Sequence, residues 1–328
     1  MHGPEPAATP PPDFDAELAA NVSRSFWLEN RSKIEIAEEF HLSRFKVARI
    51  LEEARRYGVV HIEIAEPSER IGDLAAQLRD AFGLVDVVLA HRPASANGSL
   101  AELGSLAAGY LNGHVSPGST IGLGWGSTLG EVVAHLKPSG PVDVVQLAGG
   151  FASSASSFNG GSLVTAASDV LGGNPYLLYT PALVATPDAR TLLRADHTIS
   201  RTVEKYKMLD AMMTGIGVFR ASPQSALYRG DVLNSSVHEE LDRWDVIGDT
   251  CCHFIDRNGF VVPALADRAI GISVDEIRAT SLRIAVAAGI DKRPPILAAL
   301  RSGLPNVLIT DVDTARAILA LATTETAA

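Results

Sequence analysis

The apolar positions of residues 16–60 recur at helical spacing. They predict three short helices, over 16–29, 32–40 and 44–57. Ser32 and Glu35 have the spacing of a capping box at the start of the second helix, and Ser43 is a favourable N-cap for the third. The positions expected to face inward are Leu18, Val22, Phe26 and Leu28, then Ile34, Ile36 and Ala37, and finally Val47, Ile50, Leu51 and Ala54.

A strand pattern follows these helices. Gly58 is expected to end the third helix, and residues 59–64 alternate between apolar and polar positions, as a half-buried strand does. Three short helices followed by a strand are the layout of a winged helix-turn-helix, which we place at residues 16–66. Residues 1–15, rich in Pro and Ala, predict a flexible tail.

The remainder of the chain, 67–328, alternates between short apolar runs and helical stretches. This alternation predicts a doubly wound, mainly parallel α/β domain, in which ligands bind at the carboxyl ends of the strands. Strands are predicted over 85–89, 120–123, 142–147, 176–179, 208–216, 251–255, 283–288 and 306–309, and helices over 72–82, 99–111, 128–137, 161–171, 298–302 and 312–322.

Composition and charge narrow the class of protein. Of 328 residues 46% are hydrophobic and 20% charged, as in globular proteins, and the net charge is −10. Residues 22–60 nevertheless carry a net charge of +2, which permits a local contact with nucleic acid. No apolar run reaches the roughly 18–20 residues of a membrane helix. Residues 1–12 do not have the pattern of a secretory signal. Cys251 and Cys252 are adjacent, so we expect two free thiols that pack as small apolar residues in a reducing compartment. These observations predict a cytoplasmic protein without a membrane partner.

The third predicted helix leaves polar and aromatic side chains outside its apolar stripe. Arg44, Phe45, Lys46 and Arg49 lie near its N-terminus, next to Ser43. In helix-turn-helix proteins this end meets base edges in the major groove, where Arg pairs with guanine and an aromatic ring contacts a thymine methyl group. The sequence therefore predicts a contact with double-stranded DNA. The alternative is a solvated charged face, with Phe45 packed on a neighbouring domain.

A glycine-rich turn follows the strand predicted over 120–123. Gly124 and Gly126 precede Ser127 and Thr128 at a helix start, an arrangement that suits a phosphate group. A tight strand-to-helix turn alone would also need these glycines. A dinucleotide site would require an acid at the end of the next strand, but Asp143 lies at its beginning, so no nucleotide cofactor is expected.

Further polar and glycine positions occur near other strand ends. Gly149 and Gly150 follow the third strand, Asp249 precedes a strand, and Lys292 lies at a helix start, while Arg229 is in a loop. An Arg and a Lys that converge with hydroxyl groups would bind a sugar phosphate. Each of them alone is more often a surface charge. No metal-ligand cluster or nucleophile elbow is evident, so we predict neither catalytic residues nor a metal.

The chain as a whole resembles the SorC/DeoR-type sugar-binding transcriptional regulators. The resemblance implies a sensor domain similar to sugar-phosphate isomerases and deaminases, and a homo-oligomer, either a dimer or a tetramer. The segments that carry it are 36–44, 47–55, 58–60, 122–129, 145–150, 215–217, 248–256, 267–272, 284–289 and 307–311.

The resemblance also assigns roles at the sensor site. It implies that Ser127 and Thr128 hold the phosphate of the effector, that Lys292 and Arg229 assist them, and that Asp249 binds sugar hydroxyls. Asn159 is a further effector residue on the same basis. Two departures from the family pattern are Ala148, where relatives often have a polar or basic residue, and Phe45, where a small residue or Pro is common.

These observations predict a regulator whose binding to operator DNA is controlled by a sugar, polyol or sugar phosphate. One alternative is a sugar-phosphate isomerase or deaminase with an accessory helix-turn-helix, for which Asp249 is the candidate base. A purely structural DNA-binding protein would leave the glycine-rich crevice unexplained. The sequence indicates neither which effector binds nor whether it represses or activates.

Overall fold

Three helices surround a small apolar core in the N-terminal part of the chain. The computed structural model describes residues 11, 14–29, 31–60, 68–91, 99–150, 159–219, 233 and 235–326. The chain divides into two units, Met1–Ala65 and Glu66–Ala328. The helices of the first unit are α1 (Ala16–Trp27), α2 (Lys33–Glu39) and α3 (Arg44–Arg56).

The predicted caps of this unit are confirmed. Ser32 Oγ accepts from the Glu35 N–H while the Glu35 carboxylate accepts from the Ser32 N–H, and Ser43 Oγ accepts from the Lys46 N–H. The inward stripe of α3 is likewise buried, and it forms the core together with Ala19, Val22, Ile36 and Ala37.

Two apolar positions of the first unit were predicted wrongly. Ile34 is 55% exposed and Leu28 is 76% exposed. Leu28 comes directly after α1, which ends at Trp27, and Ile34 lies in the first turn of a helix of seven residues whose buried positions are Ile36 and Ala37. Helical spacing therefore overstated the width of the apolar side.

The strand predicted over 59–64 falls mostly outside the described residues, which stop at residue 60 and resume at 68. Gly58 has a φ of +76°, as expected for the residue that ends α3, and Val59 and Val60 pack against the core of the first unit. The wing of the helix-turn-helix remains a prediction.

The second unit contains a large sheet, a small sheet and ten α-helices among its described residues. None of these helices combines the length and apolar character that a bilayer crossing needs. The helices are α4 (Ser68–Phe82), α5 (Ser99–His114), α6 (Ser127–His135), α7 (Gly160–Leu171), α8 (Pro187–Ala195), α9 (His197–Lys205), α10 (Ser235–Arg243), α11 (Val274–Ala279), α12 (Arg293–Arg301) and α13 (Val312–Thr326). The strands are β1 (Asp86–Ala90), β2 (Thr120–Leu123), β3 (Val142–Gln146), β4 (Gly172–Tyr176), β5 (Ala211–Thr214), β6 (Gly217–Val218), β7 (Val246–Thr250), β8 (His253–Asp256), β9 (Leu282–Val286) and β10 (Val307–Asp311).

The large sheet is parallel throughout, with the order β1-β10-β9-β5-β2-β3-β4. Alternate residues of its strands enter two different cores. Ile284 and Val286 of β9 join the helices α5, α6 and α7, while Ala285 between them joins α4, α12 and α13. Helices therefore cover both faces of the sheet, and the predicted doubly wound fold is confirmed.

The edge strand β4 was misplaced by the sequence pattern. The predicted strand over 176–179 shares only Tyr176 with the observed strand. The actual strand begins with two glycines and contains Pro175, which a central strand would not tolerate but an edge strand does. A Cβ atom on Gly173 would overlap the backbone of Val142, so this close approach of two strands depends on glycine.

Several helices were missed or placed late. No helix was predicted over α8, α9, α10 or α11, and α12 begins at Arg293 rather than at residue 298. Two consecutive prolines stand in the first turn of α12, where proline is compatible with a helix because the first N–H groups have no partner within it. α8 has no fully buried residue, and Leu193 is the residue of this helix that packs against the core, so its short apolar side was overlooked.

The small antiparallel sheet has the order β6-β7-β8. The strand predicted over 251–255 was wrong at its start, because Cys251 and Cys252 form the turn between β7 and β8 with φ values of +49° and +64°. Two left-handed residues suit a two-residue hairpin turn, where Asn-Gly is the usual signal. Two buried cysteines gave no such signal, so the turn was mistaken for strand.

A partly buried histidine of this sheet makes stability depend on pH. His253 Nε2 lies 2.9 Å from the Ile272 carbonyl oxygen, and burial lowers the pKa of His253 below 6.5. Between the lowered pKa and that of the unfolded chain, the unfolded state binds more protons, so we expect the free energy of unfolding to fall as the pH drops below about 6.5. Urea titrations over this range should show a smaller slope for His253→Gln, by at most about 1.4 kcal/mol per pH unit. An equal slope in both proteins would contradict this.

Candidate functional site

The large sheet has a topological switch point at β2, where strands that follow in the chain are added on opposite sides. From β2 the chain continues through β3 to β4 on one side, while β5 lies on the other side of β2, next to β9. In open parallel sheets a crevice forms at the carboxyl ends of the strands around such a point. The segments that follow β2, β5 and β9 therefore form one sheet edge, which we call the crevice edge.

Gly124 is the first residue of the turn after β2 and packs closely against neighbouring segments. Its N–H donates to the Met213 carbonyl oxygen of β5 at 3.0 Å. A Cβ atom at Gly124 would lie 3.6 Å from the Thr214 Cα and 3.6 Å from the Cys251 Sγ. The turn therefore packs against the end of β5 and against the β7–β8 hairpin.

Gly126 leaves the start of α6 open. Its φ of +118° and ψ of 166° lie in a region that only glycine adopts readily. It is the N-cap of α6 and makes no side-chain cap, and a Cβ atom there would meet nothing within 4 Å. Ser127 is exposed and Thr128 is buried. The helix start therefore offers N–H groups and one exposed hydroxyl to an anion.

The glycine pair after β3 is engaged by the protein itself. The Gly149 N–H donates to the Ile270 carbonyl oxygen at 2.9 Å, and the Gly150 N–H donates to the Thr180 carbonyl oxygen at 2.8 Å. A Cβ atom on Gly149 would lie 2.5 Å from the Pro181 carbonyl oxygen. Gly149 thus permits a close backbone approach, and effector binding at either glycine remains a prediction.

Asn159 caps the helix that follows β3. Its Oδ1 accepts from the Ser162 N–H at 2.9 Å, and the residue is exposed. α7 begins beyond the carboxyl end of β3, so Asn159 belongs to the crevice side of the sheet. Its carbonyl oxygen is used in capping, while its amide NH₂ group remains a possible donor to a ligand. Arg229, the other predicted loop residue, lies outside the described residues.

Asp249 is a buried acid in the middle of the small sheet. It lies within β7 and not before a strand, so its predicted location was wrong. The side chain is packed against Gly217, where a Cβ atom would overlap the carboxylate, and the residue is 4% exposed. Glycine at 217 is therefore what makes room for this carboxylate.

Lys292 ends a short 3₁₀ turn that follows β9. It is the N-terminal neighbour of α12 and is partly exposed. Burial lowers the pKa of Lys292, and attraction to Asp249 opposes that shift. A lysine and a buried carboxylate that attract each other therefore lie at the same sheet edge as the start of α6.

Sequence reasoning missed two neighbours of this edge. Cys251 lies beside Gly124, and burial raises the pKa of its thiol, so the thiol stays protonated at neutral pH. Ile290 precedes Lys292 and is 67% exposed. An apolar residue two positions before a lysine, after a strand end, was the available signal for Ile290. No motif pointed to Cys251.

Asp143 lies away from the crevice edge. Asp143 lies at the amino end of β3, where it accepts from Lys205 Nζ at 2.8 Å and from Asn174, so it is a scaffold residue away from the crevice edge. Within the part of the chain that the structure describes, no three His, Cys, Asp or Glu residues are placed to hold a metal ion.

The first turn of α3 presents the predicted DNA-binding side chains to solvent. Ser43, Arg44, Phe45, Lys46 and Arg49 are all exposed, with Phe45 86% exposed. Arg49 Nε lies 3.4 Å from a Glu53 carboxylate oxygen, an exposed pair of low strength. Phe45 and Arg49 thus lie on the side of α3 opposite to its core stripe, and Arg44 and Lys46 flank that side.

Comparisons with known proteins agree with this geometry. A family model described as "Putative sugar-binding domain" matches residues 66–320. The deoxyribonucleoside regulator of Bacillus subtilis is 29% identical over 308 residues, covering 92% of this chain and 97% of the relative. The crystal structure of the full-length sorbitol operon regulator SorC from Klebsiella pneumoniae superimposes with a TM-score of 0.70 at 25% identity, covering 93% of this chain and 99% of that one.

A helix-turn-helix unit and a doubly wound α/β unit with a polar crevice edge are the parts of a ligand-responsive transcriptional regulator. The match to the family model extends over most of the chain, and the relatives cover nearly all of it. The chain belongs to the family of SorC/DeoR-type sugar-binding transcriptional regulators.

Proposed function

We propose that this regulator binds operator DNA through the exposed side chains of α3 and that a sugar, polyol or sugar phosphate bound at the crevice edge controls that binding. The observation that carries the proposal is the start of α6. Gly126 leaves it without a side-chain cap, at the edge where Lys292 and Asp249 lie. Such a helix start favours an anion, while a carboxylate suits hydroxyl groups.

The roles of the individual residues follow from their chemistry. Ser127 and the first N–H groups of α6 would hold a phosphate, Lys292 would add a positive charge, and Asp249 would accept from a hydroxyl group of the sugar. Thr128 is buried, so we expect its contribution to come through its N–H. Gly124, Asn159 and Arg229 remain predicted effector residues. The names of the relatives, which refer to a deoxyribonucleoside and to sorbitol, support a sugar or a polyol as the effector class.

Control of DNA binding by the effector requires two populations of the protein that differ in operator affinity. An effector shifts such an equilibrium only by as much as its affinities for the two states differ. We expect at least a dimer, because one helix-turn-helix covers only a half-site of the operator. The family resemblance implies either a dimer or a tetramer. Operator binding places the protein in the cytoplasm.

An enzyme would require Asp249 to act as a general base. A sugar-phosphate isomerase or deaminase needs a general base within reach of its substrate. Asp249 is 4% exposed, and a buried carboxylate can serve in either role, so turnover distinguishes the two. Incubation with aldose and amino-sugar phosphates should raise the melting temperature without turnover, whereas product formation would contradict the regulator proposal.

Arg44→Ala should weaken operator binding by about 1–3 kcal/mol and relax one base position, because Arg44 is exposed at the DNA-facing end of α3. Fluorescence anisotropy with the operator duplex in a salt series measures this. Arg257→Ala is the matched control, since it removes an exposed arginine of the second unit that pairs with Asp245 at 3.2 Å. Equal affinities for wild type and Arg44→Ala would show that this helix end does not face the DNA.

A further inference from the structure

Phe45 is an apolar ring presented to solvent among positive charges. It is 86% exposed, the largest exposed fraction among the large apolar side chains of the described residues. The core stripe of α3 consists of Val47, Ile50, Leu51 and Ala54, all buried, so the ring has no part in the packing of its own unit. Any contact that this side chain makes is therefore with another molecule or another part of the protein.

The surroundings of the ring select the kind of contact. Arg44 and Lys46 are its neighbours in sequence, and Arg49 lies one helical turn further on the same side of α3. All three are exposed cations. A surface in which a single ring stands among three cations complements a polyanion that carries isolated apolar groups. An apolar protein surface or the interior of a bilayer would instead require these cations to lose their hydration.

Double-stranded DNA has such an apolar group in its major groove. The C5-methyl group of thymine is the one methyl group that its four bases display there. We propose that Phe45 is a specificity-determining residue that recognises one thymine per half-site through that methyl group. The proposal rests on the proposed contact of α3 with operator DNA.

The geometry of the helix start supports this placement. Ser43 caps α3 by accepting from the Lys46 N–H at 3.2 Å, so the first turn is ordered by its own residues. Phe45 and Arg49 are four residues apart, which places their Cβ atoms about 5–6 Å from each other. That distance corresponds to one or two base-pair steps of about 3.4 Å. Phe45 and Arg49 should therefore meet neighbouring positions of the same half-site.

Replacement of thymine by deoxyuridine tests the proposal, because it removes only the methyl group. Duplexes are selected from a random pool with the intact protein, and each thymine of the best duplex is then replaced in turn. For the wild type we expect about a fourfold loss of affinity at one thymine per half-site, the value for one buried methyl group, and no change elsewhere. In Phe45→Ala the same replacement should have no further effect, whereas Phe45→Leu should retain part of it.

The possible results have distinct meanings. If the wild type binds the selected duplex and every deoxyuridine duplex equally well, or if Phe45→Ala keeps the sensitivity, the proposal is wrong while DNA binding stands. If Phe45→Ala changes the mass of the oligomer and leaves methyl sensitivity intact, the ring covers a protein surface, and the proposal is wrong as well. Failure of the wild type to select or bind any duplex would overturn both the proposed function and this inference.

Discussion

Lys292→Ala is expected to weaken effector binding by about tenfold or more and to leave operator affinity in the absence of effector unchanged. A charge-assisted hydrogen bond contributes about 1.5–3 kcal/mol, which corresponds to this factor. Lys292 lies beyond the carboxyl end of β9 and is partly exposed, so its ammonium group is placed to meet a ligand at the crevice edge. Calorimetric titration with the sugar phosphate that gives the largest thermal shift measures the effect. Lys137→Ala, which removes an exposed lysine, is the matched control.

A second variant separates binding from folding. Loss of Lys292 leaves the buried carboxylate of Asp249 without this cation, which lowers stability by itself. The double variant Lys292→Met, Asp249→Asn removes both charges and should recover part of the melting temperature without recovering effector affinity. Wild-type effector affinity in either protein would remove the lysine from the site. Loss of DNA binding without effector would indicate a folding defect.

Gly149→Ala is expected to destabilise the second unit by about 1–3 kcal/mol or more, the usual cost of overpacking. A Cβ atom at this position would lie 2.5–2.6 Å from three backbone atoms of Thr180 and Pro181, which cannot move as a flexible side chain does. Gly150→Ala is the matched control, because the nearest atom to its Cβ would be 3.9 Å away. Urea titration measures both variants. Equal stabilities would show that the contact between residues 149 and 181 gives way at little cost.

The comparison of these neighbouring glycines also tests an interpretation of the sequence. Both were predicted to bind effector because they follow a strand. In the structure their N–H groups bond to backbone carbonyl groups of the same unit. A sequence shows that a position requires glycine, but it does not show whether a ligand or another strand approaches it.

Local signals in the sequence predicted much of the fold. The capping box at Ser32, the N-cap at Ser43 and the glycine turn before Ser127 depend on residues a few positions apart, and the structure has all three features. The parallel sheet followed from apolar runs separated by helices, because strands buried on both faces are apolar throughout.

The features that were missed depend on distant contacts. Cys251 and Cys252 form the left-handed turn of the β7–β8 hairpin and are buried in two different apolar cores, and neither residue type indicates a turn. α8 is held by Arg190 and Arg194, which donate to the carbonyl oxygens of Ala269 and Gly271, about 80 residues away in the sequence. Asp249 was placed before a strand because β7, in which it lies, was not predicted. Contacts of this kind leave no local pattern to interpret.

The central claim, that effector binding controls operator binding, is tested most directly by measuring operator affinity with and without effector. Anisotropy of a labelled operator duplex should be titrated with the intact protein, with and without the sugar phosphate that gives the largest thermal shift. At an effector concentration near the wild-type Kd, we expect salt-dependent binding whose affinity changes with effector in the wild type and in Lys137→Ala and changes much less in Lys292→Ala. Operator affinity that is identical with and without a demonstrably bound effector in the wild type would contradict it.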